Sequence, residues 1–263
     1  MTIPTEKIIA AAARGGFDSE LRVAVLLAKA GWHVNQNVYF MDKDEDKGRE
    51  LDIEAYRIFS ETEPKPEASC LLELLIEVKK TRDPFLFYSS RSRYFEPGSG
   101  YGMFHWSNKV GRNLLPFQEI NRHRPLADPT RIARSYSNFK DSKTQQVAAG
   151  VLSAFKAAVH YRDHCNETYS EISNDVAFFV PIVVVDGEIY DCYIDDETSE
   201  LRAESVDAVV YQQNYHSSAY ARLSNRVTVI TISALDEYLL NYRKWGEHVL
   251  ATIRQNQDLP RNL

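Results

Sequence analysis

Residues 71–80 read LLELLIEVKK, an apolar run interrupted by Glu73 and closed by Glu77, Lys79 and Lys80. Such continuity predicts a strand covered on both faces, hence central in a sheet. Alternation sends Leu72, Leu74, Ile76 and Val78 to one face, and Glu73, Leu75, Glu77 and Lys79 to the other. Glu77 and Lys79 therefore share a face, with Cα atoms roughly 6.6 Å apart. Upstream, RELDIEAYRIF (49–59) predicts a strand with Leu51, Ile53 and Ala55 on one side and Asp52, Glu54 and Tyr56 on the other. Pairing of the two strands lets Asp52 meet Glu77 across the ladder.

Two carboxylates on adjacent strands repel, and each raises the other's pKa. A divalent cation removes the conflict. Hard carboxylate oxygens suit Mg²⁺, which keeps several waters and shares the rest of its shell with substrate phosphate. Lys79 then lies beside the ion, where a cation stabilises phosphorane charge or orients an attacking water. The Val78 carbonyl, between Glu77 and Lys79, is a further candidate ligand. The competing reading is a sheet with one polar face, on which Glu73, Glu77 and Lys79 form cross-strand ion pairs.

Outward from this pair, WHVNQNVYF (32–40) predicts a strand closed by the polar turn DKDEDKG. Before it, a helix from about Phe17 to Ala30 carries Phe17, Leu21, Ala24, Val25 and Ala28 at three- and four-residue spacing. A first helix with Ile8, Ile9 and Ala12 on its apolar face is interrupted at Gly15-Gly16. From Thr81 to about Phe139 regularity fades among prolines, glycines, aromatics and arginines, and the stretch reads as an insertion packed on or beside the core. Helix returns in DSKTQQVAAGVLSAFKAAVHYRDH, with Val147, Val151, Ala154, Phe155 and Ala158 in line. VAFFVPIVVV predicts a buried strand, Asp186-Gly187 a hairpin turn, and EIYDCYI its partner. Strands near VDAVVYQQ and RVTVITI precede a terminal helix from Leu235 to about Arg254. The expected architecture is α/β (α+β): one domain over 1–263, a central mixed sheet flanked by helices, and a basic, aromatic-rich insertion at about 81–139 after the third strand. No G-x-G-x-x-G or phosphate-loop pattern points to a nucleotide-binding unit.

Charge is unevenly placed. Between Lys79 and Lys143 there are 13 Lys and Arg against 5 Asp and Glu, a local excess of +8 in a chain of net −6, so the remainder carries −14. A basic segment in an acidic protein is the footprint of a phosphate-binding surface. Arg91, Arg93, Arg112, Arg122, Arg124, Arg131, Arg134 and Lys143 are the candidate nucleic-acid contacts, with Tyr94, Tyr101 and Trp106 placed to stack on bases. The plain alternative is a loop that packs its aromatics inward and solvates its arginines. His160 and His164, one helical turn apart without an H-E-x-x-H pattern, read as structural. Three dispersed cysteines exclude a disulfide framework and fit a reducing compartment. No apolar stretch is long enough for a membrane span, and the opening MTIPTEKIIAAAARGGF does not read as a secretory leader, so a cytoplasmic protein is expected.

Asp52 followed by Glu77-Val78-Lys79 on the next strand resembles the signature of the PD-(D/E)XK nuclease superfamily, which includes restriction endonucleases and repair nucleases. The resemblance covers the helix from Phe17 through Lys79 and the helix near Gln145, about half of the chain. It implies a restriction-endonuclease-like αβββαβ core, one or two Mg²⁺ ions (with Mn²⁺ as substitute), metal ligation by Asp52 and Glu77, and a catalytic role for Lys79. Two looser correspondences are Glu20 as a metal-site glutamate from the first helix and Gln145 or Gln146 from the later helix. Glu20 has a second reading, since an acidic residue in a helix's first turn complements the dipole. Leu51 stands where many members have proline, so the motif is short. The expected activity is Mg²⁺-dependent hydrolysis of phosphodiester bonds in DNA, with RNA as the other candidate substrate. Expected partners are a second copy or a protein of a multi-component antiviral-defence or restriction system, and no membrane. The alternative is a non-catalytic nucleic-acid-binding or scaffold module on a nuclease-like fold.

Overall fold

Strand β3 (Ala68–Lys80) is flanked by β2 (Lys47–Ser60) and β7 (Asn174–Asp186), and its residues from Cys70 to Val78 are buried. The structure, a computed structural model, describes residues 3–60, 68–91, 104–108, 116, 120, 123–126, 129–140, 144–168 and 174–257. Antiparallel pairing joins β1 (His33–Asp42) to β2 and β2 to β3, while β3 and β7 run parallel from Ala68↔Asn174 to Lys80↔Asp186. A parallel neighbour needs a crossover, and the long helix α3 (Thr144–Thr168) lies on that connection. Beyond β7 the same sheet continues through β11 (Ala221–Thr231), β10 (Ala208–Ser217), β6 (Arg131–Asn138), β4 (Phe85–Arg91), β8 (Ile189–Ile194) and β9 (Leu201–Ser205). The result is a mixed α/β architecture: an 11-stranded mixed sheet with four helices among the described residues.

The alternation of β3 decides the layers. Leu72, Leu74, Ile76 and Val78 pack in one cluster with Val23 and Leu27 of α2 (Phe17–Lys29) and with Leu239, Trp245 and Val249 of α4 (Leu235–Gln257). Leu71 and Leu75 pack in a second cluster with Val147, Val151 and Phe155 of α3. The predicted apolar line of α3 is fully buried. For α2 the predicted face is rotated: Phe17, Leu21 and Val25 are exposed, and Ser19, Val23, Ala24 and Leu27 are buried. Apolar residues run almost all round this helix, so spacing alone leaves more than one face eligible. Ile8, Ile9 and Ala12 of α1 (Thr5–Gly15) are likewise exposed. The break between α1 and α2 falls at Gly16, with φ 87.

The stretch expected to form an insertion supplies strands to the sheet itself. β4 buries Phe85 and Phe87, pairs antiparallel with β6 and parallel with β8. β5 (Phe104–Ser107) pairs with β7 at Val176–Phe179, on the edge that β11 takes over from Ile182. These strands are short, and the density of proline, glycine and aromatics around them hides their period of two. The hairpin expected at Asp186-Gly187 does not form. After that bend β8 leaves β7 and pairs with β4, just as β4 follows β3, so the parallel β3–β7 pair continues as a parallel β4–β8 pair. Backbone bonds from Thr81 N to Asp186 O (3.1 Å) and from Phe85 N to Glu188 O (3.0 Å) hold the bend. No described helix is long and apolar enough to cross a membrane.

Candidate active site

The ladder between β1 and β2 skips one pair: Gln36 is opposite Ile53 and Val38 opposite Leu51, while Asn37, at φ 54, and Asp52 are not paired. The β2–β3 register likewise ends at Ile53↔Ile76. At Asp52, therefore, β2 departs from β3. Leu51 consequently packs with the α3-side cluster while Ile53 and Ala55 pack on the other side, which corrects the simple alternation expected for the three. The Asp52 side chain fills the place of the missing backbone partner, its carboxylate accepting the Val78 N–H at 2.7 Å. A strand residue presents its N–H and C=O to the same neighbour, so the Val78 carbonyl also faces the edge where β2 has gone.

Lys79 closes the arrangement. Its ammonium lies 2.5 Å from Glu77 Oε2 and 3.3 Å from Asp52 Oδ2. The Glu77 side chain is only 7% exposed, whereas those of Asp52 and Lys79 are 22% exposed. Burial raises the Glu77 pKa above the ordinary carboxylate range, against the pull of Lys79 and with a push from Asp52. For Lys79, burial opposes the charge, but Glu77 and Asp52 outweigh it and the pKa rises, so the ammonium stays protonated. From α3, the Ser153 side chain acts on Glu77 in the same direction as Lys79, lowering its pKa against the effect of burial. Gly150 of the same helix lies so close that a Cβ there would fall 2.9 Å from Lys79 Cε and 3.7 Å from Glu77 Cβ.

Asp52, Val78 and Lys79 line a cleft of about 780 Å³, whose other walls include Gly15 and Gly16 at the α1–α2 joint, Glu20, Arg82 and Ala149. Glu20 thus comes to the same cleft as Asp52. Its pKa is raised by burial and by Asp52, with Lys79 acting the other way. The N-terminus of α2 is tied to the ends of β3 and β7: Lys80 bonds Asp18 at 2.8 Å, the Ser19 hydroxyl donates to Asp186 at 2.6 Å, and Arg22 also pairs with Asp186. Gln145 and Gln146 belong to the first turn of α3, but their side chains lie outside the described residues.

Among the described residues, the predicted basic set does not converge on this cleft. Arg131 pairs with Asp191 (2.8 Å) and Glu204 (3.1 Å) and lies 3.6 Å above the Tyr193 ring, and Arg91 pairs with Asp196 (2.8 Å). Arg124 is enclosed beside Tyr242 and Thr228, and burial pushes its pKa down to about 10. Arg134 is exposed on β6. Arg93, Arg112, Arg122 and Lys143, with Tyr94 and Tyr101, lie outside the described residues. The cleft instead carries Lys79, Lys80 and the exposed Arg82, the last two overlooked because they stand beside a motif that drew attention to Lys79. Gly150 left a legible signal: a lone glycine inside the helical run AAGVLSAF marks a close approach. Ser153 left none.

Among the described residues, no group of three or more His, Cys, Asp and Glu side chains is gathered tightly enough to form an all-protein metal cage. Asp52 and Glu20 at the cleft, with the Val78 carbonyl and with Glu77 buried beside Lys79, are instead the partial donor set that suits Mg²⁺, which completes its shell with water and phosphate. No family model matches the chain, no curated protein matches it, and no solved structure matches it.

Proposed function

We propose that the protein is a metal-dependent nuclease of the PD-(D/E)XK kind, hydrolysing phosphodiester bonds in DNA with Asp52, Glu77 and Lys79 at its centre. The observation that carries this reading is the meeting of the Asp52 and Glu77 carboxylates at one ammonium, with Asp52 and Lys79 lining an open cleft. With β4, β5 and β6 set aside as lying between β3 and α3, the order α2, β1, β2, β3, α3, β7 supports it, being the αβββαβ order of a restriction-endonuclease-like core. Asp52 and Glu77 hold the divalent ion, Mg²⁺ or Mn²⁺, with the Val78 carbonyl and with Glu20 from across the cleft. When bound, that ion supplies Lewis-acid polarisation of the phosphate and an acidified water. Lys79 stabilises the charge that builds on the phosphoryl oxygens. Arg82 and Lys80 at the cleft receive flanking phosphates. Work within a restriction or defence system, as a dimer or with a partner protein, belongs to the same proposal.

The test is incubation with linear duplex, circular duplex and single-stranded DNA, and with RNA, with and without Mg²⁺. Wild type cuts DNA only with the ion, and Asp52→Ala, Glu77→Ala and Lys79→Ala do not cut while keeping their circular-dichroism spectra. Equal Mg²⁺-dependent cutting by all three variants would exclude the assignment. One observation favours the non-catalytic alternative: Lys79 already neutralises both carboxylates as an internal ion-pair triad. DNA binding with no cutting in Mg²⁺ or Mn²⁺ decides for it.

A further inference from the structure

The wall opposite β3 in this cleft belongs to α3, and one turn of that helix touches both working side chains. Gly150 is buried against Lys79, where a methyl group would stand 2.9 Å from Cε and 3.4 Å from Cγ. A separation under 3.0 Å is not tolerated between carbon atoms, so any larger residue at 150 displaces the lysine stem. The Cβ position at 150 also lies 3.7 Å from Glu77 Cβ, and Ser153, three residues on and on the same helix face, draws the Glu77 pKa down. Ala149, next to Gly150, lines the cleft itself. Helix α3 is held rigidly in this position: Lys156 bonds Asp42 at 2.9 and 3.0 Å, and Val147, Val151 and Phe155 are buried under the sheet.

We infer that the Gly150–Ser153 turn of α3 is a positioning element for the reaction, Ser153 orienting the Glu77 carboxylate and Gly150 leaving the space that holds the Lys79 ammonium between Glu77 and Asp52. The inference rests on the nuclease reading and adds two residues that touch neither phosphate nor ion. A free carboxylate rotates about its terminal torsion. A hydrogen bond from Ser153 would select one orientation and leave the other lone pairs for the ion. The absent side chain at 150 acts from the other direction: with Cε against the helix backbone, Lys79 reaches back toward the carboxylates and not along the cleft wall.

The experiment compares Ser153→Ala, Ser153→Thr, Gly150→Ala and Glu77→Ala in the full chain. Ca²⁺, a hard cation with the same oxygen preference, is titrated by calorimetry, which reads ion affinity without turnover. Cleavage is measured separately in Mg²⁺, with kcat and KM resolved. Loss of a hydrogen bond to a metal-ligating side chain costs on the order of 10–100-fold in affinity or activity. Ser153→Ala is expected to weaken Ca²⁺ about tenfold, and Ser153→Thr to restore it. Gly150→Ala is expected to lower kcat about tenfold with KM for DNA and Ca²⁺ affinity unchanged. Its melting temperature should hold or rise, because alanine is the better helix former; a merely structural glycine would leave kcat alone. Ca²⁺ affinity of Ser153→Ala within about threefold of wild type, or wild-type kcat in Gly150→Ala, overturns the role assigned to that residue. Glu77→Ala separates the two layers. If it loses Ca²⁺ and cleavage while Ser153→Ala and Gly150→Ala lose neither, only the positioning role fails; if it retains both, the nuclease reading itself fails.

Discussion

Lys79 does two things at once, and its removal separates them. With its ammonium 3.3 Å from Asp52 and 2.5 Å from Glu77, it is the cation that lets two carboxylates share a partly enclosed space. Lys79→Met should cut cleavage on the order of 10²–10³-fold. It should bind Ca²⁺ at least as tightly as wild type, because the competing positive charge is gone. Without a divalent ion the variant should melt lower, and added Ca²⁺ should recover the loss through binding to the folded state; calorimetric titration and melting curves with and without Ca²⁺ read both effects. A second prediction belongs to Glu73, also on β3. It is buried, one of its carboxyl oxygens has no partner, and burial together with Glu54 pushes its pKa up to about 9. The folded state therefore keeps a proton that the unfolded chain releases near its ordinary value of 4.5. Stability from this group is complete below about pH 4.5 and is lost as pH rises toward 9. Melting temperature should fall over that window, and Glu73→Gln should flatten the fall; an equal slope in the variant contradicts it.

At the scale of the element, α3 matters because it is the lid under which Glu77 and Lys79 meet. Burial alone does not determine its position along the sheet. Lys156, 4% exposed, reaches from α3 to Asp42, which is fully buried at the end of β1, and to Asp44 in the following turn. The Tyr215 hydroxyl joins at Asp44, and Arg49 pairs with Asp42 at 2.7 Å. Replacing one partner of a buried ion pair strands the other charge, at a cost of about 3–5 kcal/mol. Because Arg49 still reaches Asp42, Lys156→Met should lie at the lower end, about 3 kcal/mol, seen as a melting-temperature drop on the order of 10 °C. Cleavage by the folded fraction should also weaken, since the helix is then free to slide relative to Lys79. The period of α3 was legible from its apolar line, as was the strand character of β1, β2 and β3. The buried face of α2 was not: Leu21 and Val25 are as apolar as Val23 and Leu27, and the tie from Ser19 to Asp186 belongs to contacts between residues 167 positions apart.

For the whole molecule, the basic excess between Lys79 and Lys143 proves in its described part to serve the fold as much as the surface. Arg131 links β6 to β8 and β9 through Asp191 and Glu204. Arg131→Ala should cost about 1–2 kcal/mol of stability with DNA affinity unchanged, whereas Arg82→Ala should weaken DNA binding and leave the melting temperature alone; filter binding at fixed salt beside thermal melts distinguishes them. Strand β4 shows the limit of local reading in the same region. Its neighbours β6 and β8 lie far along the chain, and nothing near Phe85 records that β3 and β7 turn together into β4 and β8. What the sequence by itself determined is the centre: continuous apolar residues make β3 a buried strand, and alternation with period two places Glu77 and Lys79 on one face. Tertiary structure alone decided how Asp52 reaches them, because that depends on β2 leaving β3 opposite a left-handed Asn37. It also decided that Gly150 and Ser153 stand over the pair. Periodicity is a property of neighbours along the chain, and a site is a property of neighbours in space.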